Sequence, residues 1–264
     1  MVIVPKYHCR LGNNISQYVW PRLVAESLGF AFSAPQIPGL NVATAVAGAE
    51  HAVPTEHVSD FNDVPVDAQS ILGNRMPRRL VMEGHFQQGT KYERHRERIT
   101  RWLSNSLRPC SSTAGCIVAH VRLGDYCGLG WALPPAYYQW CASAVRTMCH
   151  ARCFVVADDT GAALSPYLSA LGALNPSVVC GGSALEDFER LAGARCVIAS
   201  NSTYAWWAAF VGQAEHVWLP HNWQPWGISQ IGDRHFSAGR VYPSDMRAAL
   251  AGWHVVDMTG GVPR

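Results

Sequence analysis

Short apolar runs alternate with segments of helical periodicity through the second half of the chain. The strand-like runs are IVAHVRL (117–123), RCFVVADD (152–159), SVVCGG (177–182), RCVIASNS (195–202) and HVWLP (216–220). Helical segments separate them, at residues 134–149, 162–172, 184–194 and 203–212. Two neighbouring parallel strands need a crossover connection between them, usually a helix. Strands that helices cover on both faces are apolar along their length. This alternation therefore predicts a doubly wound parallel sheet.

The first half of the chain is less regular. It predicts a strand, a helix that Pro21 interrupts or kinks, an extended segment and a charged helix, at residues 2–4, 10–30, 82–87 and 91–107. The segment RPCSSTAG (108–115) is the best linker candidate. We therefore predict two units, residues 1–112 and residues 113–264.

Composition and charge narrow the class of protein. The 264 residues are 48% hydrophobic and 15% charged, as in a soluble globular protein, and the net charge of +2 does not favour a nucleic-acid partner. The N-terminus lacks a signal-peptide pattern and no apolar run is long enough to cross a membrane. This favours a cytoplasmic protein, or one from which a targeting segment has been removed.

One stretch of the chain is strongly basic. Residues 75–101 hold eight Lys and Arg residues and three Glu residues. Such a stretch could bind an anionic membrane surface or an acidic acceptor, and the alternative is a solvated helix face.

The nine cysteines are an odd number, without a CxxC pair. Several lie within apolar strand-like runs, which favours buried free thiols in a reducing compartment. Their spacing is wider than a zinc site needs, and no metal site is expected.

Polar clusters follow three of the predicted strands. They are HVRLGDY (120–126), ADD (157–159) and SNST (200–203). Open α/β sheets bind their ligands at the carboxyl ends of the strands, so we expect these clusters to meet at one site.

Strand alternation places His120 and Arg122 on one face of the first of these strands. A guanidinium at a strand end is costly to bury without an anion, and its planar fork suits a phosphate. The functional interpretation is therefore a diphosphate clamp. The alternative is a structural ion pair with Asp125, Asp158 or Asp159.

Ser202 and Thr203 lie where a strand passes into a helix. They could help to bind an anion at the helix N-terminus, or one of them could be a plain N-cap. Asp187, in the predicted helix 184–194, could accept hydrogen bonds from a guanine edge. Alternatively its charge only complements the helix dipole.

Two segments of the first half carry further candidates. Asn13 and Asn14, in CRLGNNISQ (9–17), could form a binding loop or a turn with an Asn cap. Glu83 and His85 in MEGHFQ could serve as general bases or be polar surface.

The order of these segments resembles the α-1,2-fucosyltransferase family over residues 9–222. The family's GLGNQ-type, GYFQ, HxRxGDY, SDD and NSSFSWWGA motifs correspond to RLGNNISQY (10–18), EGHFQ (83–87), HVRLGDY, ADD and NSTYAWWAA (201–209). The family's tyrosine pair corresponds to Tyr137 and Tyr138. Five motifs in order are far more specific than any one of them.

The resemblance implies a GT-B-like fold, in which two Rossmann-like halves face each other across a cleft. The first unit would be the acceptor side and the second would bind a GDP-sugar. It implies an inverting, metal-independent transfer of L-fucose from GDP-fucose to a glycan hydroxyl, most commonly the 2-hydroxyl of a terminal galactose. GDP-fucose is then a substrate, and no cofactor is needed.

The resemblance also assigns roles to residues. Arg122 would bind the diphosphate, His120 would lie near the nucleotide, Asp187 would read guanine, and Ser202 and Thr203 would meet phosphate. The donor site would be completed by Asn13, Asn14 and Asp158. Glu83, His85 and Asp125 are the candidate bases.

Three residues depart from the family pattern. Leu123 stands where many members have a second arginine, Arg10 where glycine is common, and Ser16 where phenylalanine is common. Two other functions therefore stay open: transfer from another GDP-sugar or to a protein hydroxyl, and a catalytically silent nucleotide- or glycan-binding module.

Overall fold

The first half of the chain forms a five-stranded sheet with three helices. Its elements are β1 (Val2–Ile3), α1 (Leu11–Leu28), β2 (Phe32–Ser33), β3 (Ala45–Val46), β4 (Thr55–Ser59), α2 (Ala68–Gly73), β5 (Arg79–Glu83) and α3 (Arg96–Ser104). The strand order is β3-β2-β1-β5-β4. Only the β2–β3 pair is antiparallel, so this sheet is mainly parallel.

The second half forms a six-stranded sheet. Its elements are β6 (Ile117–Val121), α4 (Gly124–Leu129), α5 (Pro135–Met148), β7 (Cys153–Ala157), α6 (Ser165–Ala170), β8 (Ser177–Val179), α7 (Ala184–Gly193), β9 (Cys196–Ile198), α8 (Thr203–Val211), β10 (His216–Pro220) and β11 (Trp253–Val256). The order is β11-β10-β9-β6-β7-β8, and all neighbours are parallel. The predicted doubly wound parallel sheet is confirmed.

This computed structural model describes residues 1–51, 53–59, 68–87, 89–108, 110–179, 182–212, 214–220 and 252–256. Cys180 and Gly181, at the end of a predicted strand, lie outside this range, as do residues 221–251 of the second predicted unit. The described strands of each sheet lie on one side of residue 112. The boundary between the two units stays a prediction.

The second sheet lies between two helical layers. The successive residues Ile117 and Val118 of β6 point to opposite faces of the sheet and belong to different apolar clusters. Ile117 packs with residues of α5 and α6, whereas Val118 packs with residues of α7 and α8. The second of these clusters continues through α8 into α1 and α3, so the two halves share a core. Trp206 and Trp207 are fully buried there.

Several elements differ from their predicted extents. The helix α1 runs unbroken through Pro21, which is buried, and ends at Gly29 in the left-handed region, with φ of 68°. The predicted charged helix at 91–107 is shorter, because single 3-10 turns at Gly89–Lys91 and Glu93–His95 precede α3. The short helix α4 had no counterpart among the predicted elements.

Much of the basic stretch makes contacts within the protein. Arg78 is buried and pairs with Glu56 at 2.8 Å. Arg96 donates to the carbonyl oxygens of Phe210 and Gly212 at the end of α8, and Arg98 pairs with Glu26 at 3.1 Å. These three side chains therefore have partners within the protein, whereas the two interpretations of this stretch directed its charges to an anionic surface or to solvent.

The eight cysteines in the described part of the chain are all free thiols, five of them buried. Within the described residues, no helix combines the length and apolar character needed to cross a membrane.

Candidate functional site

The order of the second sheet reverses between β6 and β9. The strands that follow β6 along the chain, β7 and β8, extend to one side of it, and β9, β10 and β11 extend to the other. Consecutive crossovers therefore diverge at the carboxyl ends of β6 and β9. In doubly wound sheets this topological switch point forms the crevice that binds ligands.

The polar clusters after β6, β7 and β9 meet at this edge, as predicted. His120 Nδ1 lies 2.7 Å from the hydroxyl oxygen of Ser200, which links the ends of β6 and β9. Arg122 Nη1 lies 2.8 Å from Asp158 Oδ2, which links the ends of β6 and β7. The three strand ends thus form one polar site.

His120 is a neutral imidazole in this site. Its side chain is buried beside the ring of Tyr204, at a centroid distance of 5.4 Å. Burial, with a smaller contribution from the charge of Arg122, lowers the pKa of His120 to about 3. The ring can therefore donate or accept a hydrogen bond at neutral pH without adding charge to the site.

Two carboxylates hold the guanidinium of Arg122. Its Nη2 donates to Asp125 Oδ1 at 2.5 Å, and its Nη1 pairs with Asp158 Oδ2 at 2.8 Å. The side chain is only 13% exposed. Of the three partners left open by the sequence, Asp125 and Asp158 are the ones used, whereas Asp159 accepts from the backbone N–H of Gly161.

Asp158 fixes the turn that follows β6. Its second oxygen, Oδ1, accepts the backbone N–H of Leu123 at 2.7 Å. A Cβ on Gly124 would stand 2.6 Å from Oδ2 of the same carboxylate, so this approach requires glycine. Asp158 thereby positions Arg122.

Leu123, the first departure from the family pattern, is fully buried in the apolar cluster on the α5 side of the sheet. Its side chain lies on the face opposite His120, as strand alternation predicts. A charge at this position would point into the core, so a second cation for an anion must come from another part of the chain.

Tyr137 and Tyr138 donate hydrogen bonds to the backbone of the strands that form the site. Tyr137 donates to the carbonyl oxygens of Ala199 and Trp218, and Tyr138 donates to the carbonyl oxygen of His120 at 3.0 Å. Both side chains are buried at the start of α5. They satisfy carbonyl groups near the end of β6, in the middle of β10 and just beyond β9.

The first turns of α1 and α8 meet beside this edge. A Cβ on Gly12 would stand 2.4 Å from the backbone nitrogen of Tyr204, so only glycine permits this contact. Both helices present their N-termini here. Their dipoles therefore favour negative charge at the same place.

Asn13 connects the two halves at this contact. Its Oδ1 accepts from the hydroxyl of Thr203 at 2.7 Å and from the side-chain amide of Gln87 at 2.9 Å. Ser202 is the N-cap of α8, and its hydroxyl accepts the backbone N–H of Tyr204 at 3.3 Å. Asn13 and Thr203 thus lie together, with Ser202 adjacent.

Asn14 and Gln17 hold the loop before α1. With its amide nitrogen toward the loop, Asn14 donates to the carbonyl oxygens of His8 and Arg10, at 2.9 and 3.3 Å. Gln17 accepts the backbone N–H of His8 at 2.7 Å and donates to its carbonyl oxygen. The structure therefore places Asn14 in support of the loop, with its side chain directed to backbone groups.

The other two departures from the family pattern have partners across the two halves. Ser16 is buried, and its hydroxyl accepts the indole N–H of Trp207 at 2.8 Å. Arg10 Nη2 lies 3.5 Å from Asp125 Oδ2. Arg10 and Arg122 therefore share the carboxylate of Asp125.

Glu83 and His85 lie at the carboxyl end of β5, in the first sheet. The pKa of half-buried His85 is lowered by burial and, to a smaller degree, by the nearby His8. Gln87, two residues further along, reaches Asn13. This segment therefore approaches the site from the first half.

Asp187 lies in the first turn of α7 and pairs with Arg190 of the same helix at 2.5 Å. Burial raises its pKa, although the Arg190 guanidinium opposes that shift. A Cβ on Gly182 would stand 3.0 Å from Asp187 Oδ1, so the chain passes close to the carboxylate.

Three residues of the site were not identified individually in the sequence. Ser200, Tyr204 and Gln87 lie inside motifs that were recognised, but nothing in their spacing distinguished them. Ser200 follows β9, which lies beside β6. Its place in the site could therefore be predicted once the order of the sheet is known.

Among the described residues, no group of three or more His, Cys, Asp or Glu side chains is placed to hold a metal ion. No protein-family model matches the chain, and no curated protein is significantly similar to it. The function is therefore inferred from the arrangement of the chain's own residues.

Proposed function

We propose that the protein is an inverting, metal-independent glycosyltransferase that moves L-fucose from GDP-fucose to a glycan hydroxyl, the 2-hydroxyl of a terminal galactose. The observation that carries this proposal is the position of Arg122. It lies at the switch point of a parallel sheet, where open α/β sheets bind nucleotides. The ordered family motifs add the identity of the sugar nucleotide.

The diphosphate would bind between Arg122 and the N-termini of α1 and α8. The helices supply backbone N–H groups and partial positive charge, and Thr203 supplies a hydroxyl. Asp125, which is 44% exposed, would give up Arg122 to the incoming phosphate. Asp158 would keep its hold, because it also fixes the turn through the N–H of Leu123.

The transfer is a direct displacement. The acceptor oxygen forms a bond to the anomeric carbon while the bond from that carbon to the diphosphate oxygen breaks, so the configuration inverts. The bonding electrons leave with GDP, and negative charge grows on its terminal phosphate. Arg122 stabilises that charge, which is the task a metal ion has in other transferases.

The proton of the acceptor hydroxyl passes to a base on the acceptor side. His85 suits this task because its lowered pKa leaves the ring neutral at physiological pH. Glu83 and Asp125 are the other candidates, as in the sequence. The transfer rates of the H85A and E83A variants distinguish these two candidates, because loss of the base should lower the rate more than loss of the other side chain.

The guanine base would bind near Asp187. The carboxylate accepts hydrogen bonds from the N1–H and N2–H₂ groups of guanine once it turns from Arg190. On binding guanine, Asp187 would exchange one charge-assisted hydrogen bond from Arg190 for two hydrogen bonds from the base. This near-equal exchange would favour guanine over adenine. D187N should weaken binding of GDP more than binding of ADP.

The GT-B-like arrangement and the cytoplasmic location belong to this proposal. The two mainly parallel sheets, joined through α1 and α8, are compatible with two Rossmann-like halves. The first half would then present the acceptor to the donor bound on the second.

A silent nucleotide-binding module is the second candidate. The observation that favours it is the complete pairing of Arg122 with Asp125 and Asp158, which is also what a structural guanidinium would show. The two candidates differ in one measurement, since a silent module binds GDP without forming product.

The test is incubation of the protein with GDP-fucose and a panel of galactose-terminated acceptors, followed by linkage analysis of the product. The proposal expects a fucosylated product in excess EDTA. GDP binding without product supports the silent module. Transfer from a different GDP-sugar, or to a protein hydroxyl, would correct the substrate, and the absence of both GDP binding and transfer would refute the proposal.

A further inference from the structure

We propose that Arg10, from the first half of the chain, is the second cation that binds the donor's diphosphate. The inference rests on the proposed GDP-sugar site. Leu123 stands where a second arginine is common in the similar family, and a buried leucine cannot supply that charge. The second positive charge must therefore come from another residue.

Arg10 and Arg122 are already arranged around one anion. Asp125 accepts from Arg122 at 2.5 Å through Oδ1 and lies 3.5 Å from Arg10 through Oδ2. Two guanidinium groups that share one carboxylate are spaced for a bridging group with several acceptor oxygens. A diphosphate has that shape and more charge than the carboxylate.

The backbone of Arg10 is held by hydrogen bonds, whereas its side chain is exposed and only loosely paired. Its carbonyl oxygen accepts the backbone N–H of Asn14 at 3.0 Å and the Asn14 amide at 3.3 Å. The side chain is 69% exposed, and its contact with Asp125 is long for an ion pair. An exposed pair of this kind costs little to break.

The position of Arg10 also fits the electric field of the site. It is the residue directly before α1, whose first turn touches the first turn of α8 at Gly12. The guanidinium therefore extends from the place where two helix N-termini meet. Because Arg10 belongs to the first half and Arg122 to the second, the donor would be held by both halves.

The exchange leaves a defined arrangement of charges. In the free protein Arg10 and Arg122 face Asp125 and Asp158. In the complex the diphosphate replaces Asp125 between the two arginines, and Asp158 stays on Arg122. The carboxylate of Asp125, which is 44% exposed, is released towards solvent.

The test compares binding of GDP and of guanosine to R10A, R10K and D125N, with R146A as the control that removes an exposed arginine of α5. Calorimetry measures GDP binding, and ligand-observed NMR measures guanosine binding. We expect R10A to weaken GDP binding about tenfold, R10K to recover part of it, and guanosine binding to stay within twofold. D125N should bind GDP several-fold more tightly, because it frees both arginines.

GDP affinity in R10A equal to that of the unaltered protein and of R146A would overturn the inference while leaving the proposed function intact. Equal weakening of guanosine binding would also overturn it, because Arg10 would then act through the fold. An unaltered protein that does not bind GDP would overturn the proposed function itself, and this inference with it.

Discussion

Arg122 is the side chain on which the proposed transfer depends most. It follows a fully buried strand, and its guanidinium is placed by Asp158, which also holds the next backbone N–H. An arginine fixed in this way loses little freedom when an anion arrives. Its contribution should therefore appear in the rate as well as in donor binding.

Replacing Arg122 with alanine should lower turnover by about 10²–10³, the usual effect of removing one donor that faces developing charge. R122K should retain part of the rate, because it keeps the charge without the planar fork. Initial rates with saturating donor measure this effect, and R146A is the matched control. Turnover of R122A near that of the unaltered protein, with an unchanged circular-dichroism spectrum, would contradict the assignment.

His120 makes stability depend on pH. Its pKa falls from 6.5 in the unfolded chain to about 3 in the folded one, so between these values only the unfolded chain binds the proton. The free energy of unfolding therefore falls as the pH is lowered from 6.5, and His120 should account for about 2 kcal/mol of the loss at pH 5.

Urea unfolding of the unaltered protein and of H120N at pH 7 and pH 5 measures this contribution. Other histidines with lowered pKa values, such as His85 and His95, act equally in both proteins. The loss between the two pH values should be smaller in H120N. Equal losses in the two proteins would show that His120 is not held neutral by burial.

At the scale of elements, the contact between the first turns of α1 and α8 decides the geometry of the site. Gly12 allows the contact, and the hydrogen bond between Thr203 and Asn13 aligns it. The indole N–H of Trp207 adds a second link, to Ser16 in the next turn of α1. These helices set the position of each half against the other.

Replacing Gly12 with alanine should destabilise the protein by about 3 kcal/mol, because the new Cβ would lie 2.4 Å from backbone that cannot move alone. The matched control is G73A at the end of α2, where nothing lies within 4 Å of the added Cβ. Chemical unfolding measures both. Equal stabilities of G12A and G73A would mean that the helices do not touch as described.

Most elements of the second half were predictable because their signals agree. Prolines begin α5, Ser183 and Glu186 form a capping box at the start of α7, and the strands β6, β7 and β9 are largely apolar. The unbroken α1 was not predictable from its local sequence, because the packing of this helix includes contacts with α8 of the other half. The local sequence pattern reflects the conformational preferences of a segment, and it does not include contacts with distant segments.

At the scale of the whole molecule, the two sheets are joined through α8. This helix packs against the second sheet through one side and against α1 and α3 through another. Residues nearly 200 positions apart, such as Asn13 and Thr203, meet as a result. The proposed donor site therefore uses both halves of the chain.

The composition of the site was partly predictable from sequence. Clusters after three strands were expected to meet, because parallel strands place their carboxyl ends on one edge, and they do. The partners of Arg122 were not predictable, because the sequence left Asp125, Asp158 and Asp159 open as candidates without a signal to choose between them. The choice depends on the helical turn of α4 and on the room that Gly124 leaves for Asp158.

The central claim is that a GDP-sugar binds at the switch point of the second sheet and loses its fucose there. The most direct measurement is fucose transfer from GDP-fucose to a terminal galactoside, in excess EDTA, by the unaltered protein and by R122A. The account predicts a product linked to the 2-hydroxyl, with inverted configuration, and a rate at least about a hundredfold lower in R122A. Absence of product together with absence of GDP binding, or equal rates in the two proteins, would contradict it.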